Sequence, residues 1–529
     1  MKTFLSRGVL ALAAVLLAMG VRCWAQESQA KPEASKAAVA RGGPDPMVMT
    51  LRDCVTYALE NNLDIAISRI APQIRTHEIV GAKSTFDPTF FANATYARRT
   101  SESISRQQVV GGQFQQVPKS DVKSSTYSTG LRQKLITGAT AELAATQTRS
   151  DNRAYHGSRT ILNPSYDTDL KLSITQPLLR DAWPTYNRSD IRIRNNNRAI
   201  SQYQFRTTVI NTIGTVQTRY WNLVRALEDL RVRQQSLIRA EKFLESTRVR
   251  YNAGTVAKTD VTEAEAEVAA RVEGVIRAQS TVKTREDELK RVMNLADGQL
   301  LSDISITPAD KPSFEVKVVD RDECIVRAMQ NRPDLLELKL AIENQQIQVD
   351  MARNQLLPKL DAVGSYNWNA LGRGPRNSVS KLGEPEWIDP DFNDKSIGLT
   401  LEIPIGNQRA KSNHNVARLE VTDATLRLNN RELQVNVEVR DAVRQIETNT
   451  ERVKATQKAR ELAAERLSAE EKKLDAGKST VLEVLRAQES LALREGDEVG
   501  ALLDYMISVT ELDRVTGTSL EANEIAVED

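Results

Sequence analysis

Three histidines, two cysteines beyond residue 25 and one lysine-bearing glycine turn are the residues whose types could do chemistry. His77, His156 and His414 lie far apart, and none has a second ligand at the short spacing of a metal site. Ala476-Gly477-Lys478-Ser479-Thr480 imitates the end of a phosphate-binding loop, but Lys472 stands where its first glycine belongs and no strand leads in. Acid pairs such as Glu263 and Glu265 suit acid–base work inside a cleft, yet here they read as a wetted helix surface. Cys54 and Cys324 occupy the same place in a repeat, which reads as a small buried position rather than a disulfide, ligand or nucleophile. No catalytic, cofactor or metal motif emerges, so an enzyme is not expected.

The elements behind these residues belong to an elongated molecule. Of 529 residues, 40% are apolar, 5% aromatic and 27% charged, so a compact core of this size would be poorly supplied. A net charge of +2 gives no global attraction to nucleic acid. Lys2 and Arg7, the apolar run Val9 to Val21 and Cys23-Trp24-Ala25 read as a secretory signal cleaved after Ala25. Lipidation at Cys23 is disfavoured by Arg22, which stands where a small residue is needed. Residues 26–46, rich in Ala, Lys, Ser and Pro, read as a disordered lead-in. No other stretch has the ~18 apolar residues of a spanning helix, so any membrane crossing must use strands.

The chain is a tandem duplication, with repeats at 47–318 and 319–529. Cys54, Ala58, Asn61 and Asp64 match Cys324, Ala328, Asn331 and Asp334 at one offset, which Pro88 and Pro358 keep. The offset then falls: Pro177 matches Pro404, and RYNAGTVAKTDV around Gly254 matches KLDAGKSTVLEV around Gly477. The first repeat thus holds an insertion of about 43 residues between its prolines. Strands with unlike faces are expected near 88–100, 168–177, 359–369 and 396–404, where Leu170, Leu172 and Ile174 or Ile397, Leu399 and Leu401 alternate with polar residues. Tyr96, Tyr366 and Trp368 sit where an interfacial girdle would. The insertion offers another hairpin near 124–149, whose place is left open.

Elsewhere prolines vanish, from 185 to 307 and after 404. Val209, Ile213, Val216, Tyr220, Leu223, Leu227 and Leu230, then Leu237, Leu244 and Tyr251, predict a helix near 187–252 with a narrow packing seam; its return is expected near 257–295. Val435, Val439, Ala442, Ile446 and Val453 predict its counterpart near 408–475, returning near 479–516. Gly254 and Gly477 then turn two antiparallel helix pairs in the left-handed conformation. Four strands cannot close a barrel, and lipid tolerates no open sheet edge, so several chains must share one. The expected fold is mixed α and β, and three copies would give twelve strands above a ring of helices.

This arrangement resembles the TolC family of outer-membrane efflux ducts from about Leu51 to Gly517, through RYNAGTVAKTDV, LDAGKSTVLEVLRAQ, ITQPLL and LEIPIG. The resemblance implies a homotrimer in the outer-membrane lipid of a diderm bacterium, each chain being one third of a trimeric 12-stranded outer-membrane β-barrel continuous with a long periplasmic α-helical barrel. Its helix tips would meet a periplasmic adaptor (membrane fusion protein) and an inner-membrane transporter. It also implies a gate near the turns, onto which Asp260 and Glu483 fall by motif. Arg486 replaces the family's next acid, and Leu474 and Ser479 replace its latch tyrosine and arginine, so the gate is expected to rest on Asp260, Glu483 and Arg486. Adaptor contact is expected at Gly254, Thr255, Val256, Gly477 and Lys478.

A periplasmic coiled-coil adaptor would also carry a signal and heptads, but it predicts one helical hairpin and a β-rich domain. A conventional porin would be almost all strand.

Overall fold

The computed structural model describes residues 47–101, 107–110, 113–116, 120–152, 163–297, 300–301, 304–372 and 393–525. The expected signal and lead-in, and His156, lie outside the described residues.

Each repeat opens with two helices: α1 (Leu51–Asn61) and α2 (Leu63–Lys83) in the first, α5 (Arg321–Asn331) and α6 (Pro333–Asn354) in the second. Strands follow, and then a long helix pair: α3 (Ser189–Asn252) with α4 (Lys258–Met293), and α7 (Gln408–Asp475) with α8 (Val481–Thr516). With 64 and 68 residues, α3 and α7 are each about 100 Å long at 1.5 Å per residue. The return helices end alike, at left-handed Asn294 and Gly517.

The expected seams are buried where they run through large residues. Val209, Ile213, Val216, Tyr220 and Leu223 join α1, α4 and α8 in one core, and Val435, Val439, Ala442 and Ile446 join α5, α6 and α8 in another. Beyond Leu230 the buried line on α3 passes to Ser236, Ala240 and Thr247, leaving Leu237 and Leu244 half-buried and Tyr251 exposed. Small side chains let helix backbones approach closely.

The two cores are tied by matching polar contacts. Asn62 donates to the Val292 carbonyl at 2.7 Å, and Arg332, at the equivalent place, donates to the Val515 carbonyl at 3.2 Å. Arg332 also grips Asp334 through two hydrogen bonds and Glu438 at 2.6 Å, while Arg431 bonds both acids at 2.9 Å. Burial pushes the Asp334 carboxyl up, but the hydrogen bonds and charges of Arg332 and Arg431 outweigh it and hold the group below the usual carboxylate range.

Cys54 is fully buried in the first core and Cys324 is half-buried beside the second. Burial, with the charges of Asp53 and Asp310, pushes the Cys54 thiol up to about 12. Cys54 should therefore resist maleimide at neutral pH until the protein is unfolded, as peptide mapping would show; rapid labelling of the native protein would mean that the packing of α1 on α3 is wrong.

The sheet corrects one expectation. Its strands are β1 (Thr89–Ser101), β2 (Ser120–Lys134), β3 (Thr140–Asn152), β4 (Ser165–Pro177), β5 (Lys359–Gly372) and β6 (Asn393–Glu402), in the spatial order β6-β5-β4-β3-β2-β1 with every neighbour antiparallel. The inserted hairpin is β2–β3, and it lies inside the sheet between β1 and β4. Each chain thus brings six strands to one sheet rather than four. The hairpin carries few large apolar residues, and only the pairing of β2 with β1 and of β3 with β4 decides where it goes.

Candidate gate at the helix tips

Both tips are built by the same local physics. At the first, Gly254 has φ +77° and the Thr255 hydroxyl donates to the Arg250 carbonyl at 2.9 Å. At the second, Gly477 has φ +71° and the Lys478 amide donates to the Lys473 carbonyl at 2.8 Å. The stretch that imitated a phosphate loop is this turn. A Cβ added at either glycine would meet nothing within 4 Å, so the backbone of both tips is open to an incoming surface. Thr255, Gly477 and Lys478 are exposed and Val256 is half-buried.

The return helices start on caps. Asp260 accepts the Ala257 amide at 2.9 Å, and the Thr480 hydroxyl accepts the Glu483 amide at 3.3 Å. Glu483 pairs with Arg486 at 2.8 Å on an exposed face, with side chains 40% and 61% exposed, so the pair contributes only a few tenths of a kcal/mol. Asp260 lies on the other hairpin, and among the described residues no hydrogen bond or ion pair joins it to that pair. Leu474 packs beside Leu467, Val484 and Leu491, and the Ser479 hydroxyl donates to Glu470 at 2.8 Å. Hydrogen bonds from Lys473 and Ser479 hold the Glu470 carboxyl below its ordinary value.

The strongest ties between the two hairpins were not singled out in the sequence. Arg250, just before the first turn, pairs with Asp475, just before the second. Further up, α8 is clamped from both sides: Arg239 of α3 grips Glu495 at 3.1 and 2.6 Å, Arg460 of α7 grips Glu498 at 2.7 Å, and Asp504 lies between Arg225 of α3 and Arg452 of α7. The Nε atoms of Arg225 and Arg239 are buried without a hydrogen-bond partner, so the two clamps from α3 are incompletely satisfied. The signal was a row of acids on one return helix, which looks the same as a wetted face until the arginines opposite are placed.

The tips, the long helix pairs and the sheet have relatives. The family model described as "Outer membrane efflux protein" matches residues 138–295 and 324–518. Outer membrane protein TolC of Vibrio cholerae is 25% identical over 350 residues, 65% of this chain and 74% of that protein. Its namesake from Escherichia coli is 22% identical over 324 residues, 61% of this chain and 63% of that one. Among solved structures, the outer-membrane channel OprN superposes with a TM-score of 0.65 at 15% identity, covering 89% of this chain and 90% of that one. The open state of the MtrE channel of Neisseria gonorrhoeae gives 0.62 at 18%, with 89% of each covered. With two thirds of its length matched in two successive blocks, one per repeat, the chain belongs to the outer membrane efflux protein family and is an outer-membrane protein with a large periplasmic part.

Proposed function

We propose that the protein is the exit duct of a tripartite efflux or secretion system: a homotrimer that passively conducts substrate from an inner-membrane pump and a periplasmic adaptor to the outside. One observation carries the reading. A sheet with one apolar and one polar face continues directly into two helix pairs about 100 Å long. Lipid requires such a sheet to close. Purified protein added to planar bilayers should give discrete conductance steps; an inert protein that leaves the membrane without detergent would sink the reading in favour of a coiled-coil adaptor.

The gate of this duct lies at the tips, with Asp260, Glu483 and Arg486 facing the constriction. Adaptor contact falls on Gly254, Thr255, Val256, Gly477 and Lys478, where the open backbone supports close approach. Glu483→Gln combined with Arg486→Ala should leave folding intact, because the pair is exposed, but change the cation-to-anion permeability ratio by several-fold. Unchanged selectivity and conductance in that double variant would remove both residues from the gate.

A further inference from the structure

We infer that the assembled outer-membrane barrel has eighteen strands, so that the outlet is as wide as the helical tube below it and the inserted hairpin is what widens it. The inference rests on the trimeric reading above and adds to it a barrel size and the cargo that size admits.

The first support is the register. Across the sheet, Tyr366 of β5, Leu172 of β4, Leu143 of β3, Leu131 of β2 and Phe90 of β1 stand in one row, each opposite the next. Directly opposed residues share a face. The row above runs Trp368, Leu170, Ala145, Thr129 and Ala92. The apolar band that must meet lipid therefore crosses β2 and β3, interrupted in these two rows only by Thr129. On the other face the hairpin brings Thr126, Ser128, Thr146 and Thr148, in line with Asp167 and Asp169 of β4. A hairpin standing away from the membrane would have no reason to keep both faces in phase with its neighbours.

The second support is the seat of its turn. The strand ends beside the helices are taken in pairs: α2 leads into β1, β4 into α3, α6 into β5 and β6 into α7. The β2–β3 turn alone has no helix beneath it. Instead Thr137 donates to Gln176 at 3.0 Å and Gln176 returns a bond to the Thr137 carbonyl at 3.2 Å. Gly138, at φ +91°, sits so close to the Asp181 carbonyl that an added Cβ would stand 2.5 Å from it. Gln133 also bonds the Phe86 carbonyl at the start of β1 at 3.0 Å. The turn is docked on the junction from which β4 and α3 diverge. The family match begins at residue 138, so β1 and β2 lie outside it.

The third support is girth. Strands about 4.8 Å apart and tilted about 40° give a circumference of roughly 75 Å for twelve and roughly 113 Å for eighteen. Beside the sheet each chain presents four helices, and twelve helices about 9 Å apart make a ring of roughly 108 Å. Six strands per chain therefore match four helices per chain, with no narrowing between tube and outlet. The open cross-section is about twice that of a twelve-stranded barrel. With a wall rich in hydroxyl groups, such an outlet passes any hydrated solute that the helical tube admits, and size selection moves to the tips.

Electron microscopy of the detergent-extracted protein tests this directly. Eighteen strands around a three-fold axis is the expected result. Three-fold particles with twelve strands and the 120–152 hairpin outside the ring would overturn the inference and leave the duct reading standing. Two-fold barrels of twelve strands, or particles without a barrel, would overturn the trimeric reading as well. Polyethylene glycols of graded size, added from the extracellular side of a bilayer, give a second readout. The largest polymer that enters should have about 1.5 times the radius found for a variant lacking residues 120–162; equal cut-offs for the two proteins would overturn the wide outlet.

Discussion

Gly138→Val removes most of the assembled protein from the outer membrane. The residue holds φ +91°, which a β-branched side chain reaches only with strain, and the new Cβ would stand 2.5 Å from the Asp181 carbonyl and 2.7 Å from the Asn187 amide nitrogen. The carbonyl belongs to the backbone and cannot rotate away. Strain and overpacking together cost about 3 kcal/mol or more, a large part of the stability of an ordinary domain. The turn must then leave its seat, and β2 and β3 lose their anchoring at the helix junction. The yield of the protein in outer-membrane fractions measures the effect. Gly398→Val is the control, since nothing lies within 4 Å of its added Cβ. If both variants accumulate like the parent, the docking of the turn contributes nothing to assembly.

On the duct reading proposed above, Asp504→Ala should raise the fraction of time that the channel spends open. Asp504 holds α8 to α3 through Arg225 and to α7 through Arg452 at 2.7 Å, and Arg225 also donates to the Gly500 carbonyl at 2.8 Å. A hydrogen bond to a charged group contributes about 2 kcal/mol, and losing that much from the clamped conformation moves a two-state equilibrium roughly thirtyfold. The alanine also leaves two guanidinium groups facing each other without the acid between them. Single-channel records should show long open dwells, with the isosteric Asp504→Asn intermediate. A variant with unchanged dwell times and unchanged melting temperature would mean that α8 does not move when the duct opens.

Much of this architecture was legible because long periodic elements leave long records. The seam Val209, Ile213, Val216, Tyr220 and Leu223 could be read from spacing alone, and all five residues are buried. Past Leu230 the same reasoning pointed to Leu237 and Leu244, whereas the structure buries Ser236, Ala240 and Thr247. A hydrophobicity pattern cannot register a seam made of small residues. The strands of β4, β5 and β6 alternated clearly, but the place of β2–β3 depended on partners across the sheet. At the tips the glycines announced themselves through the conformation they permit. The clamps did not, because Arg225 and Asp504 are 279 positions apart in a chain with 72 lysines and arginines.

The order of the sheet also dictates when its parts can come together. β1, β2, β3 and β4 are neighbours in the sheet with no helix between them among the described residues of the chain, so their pairing closes only short loops. β5 reaches β4 only after α3, α4, α5 and α6 have been laid down, and Asp361 then pairs with Pro177 across more than 180 residues. Closing so long a loop carries a larger entropic cost and comes late in contact-order terms. The first repeat's strands are thus a local meander that can zip up early, while the second repeat's hairpin must wait for the helices to bring it home.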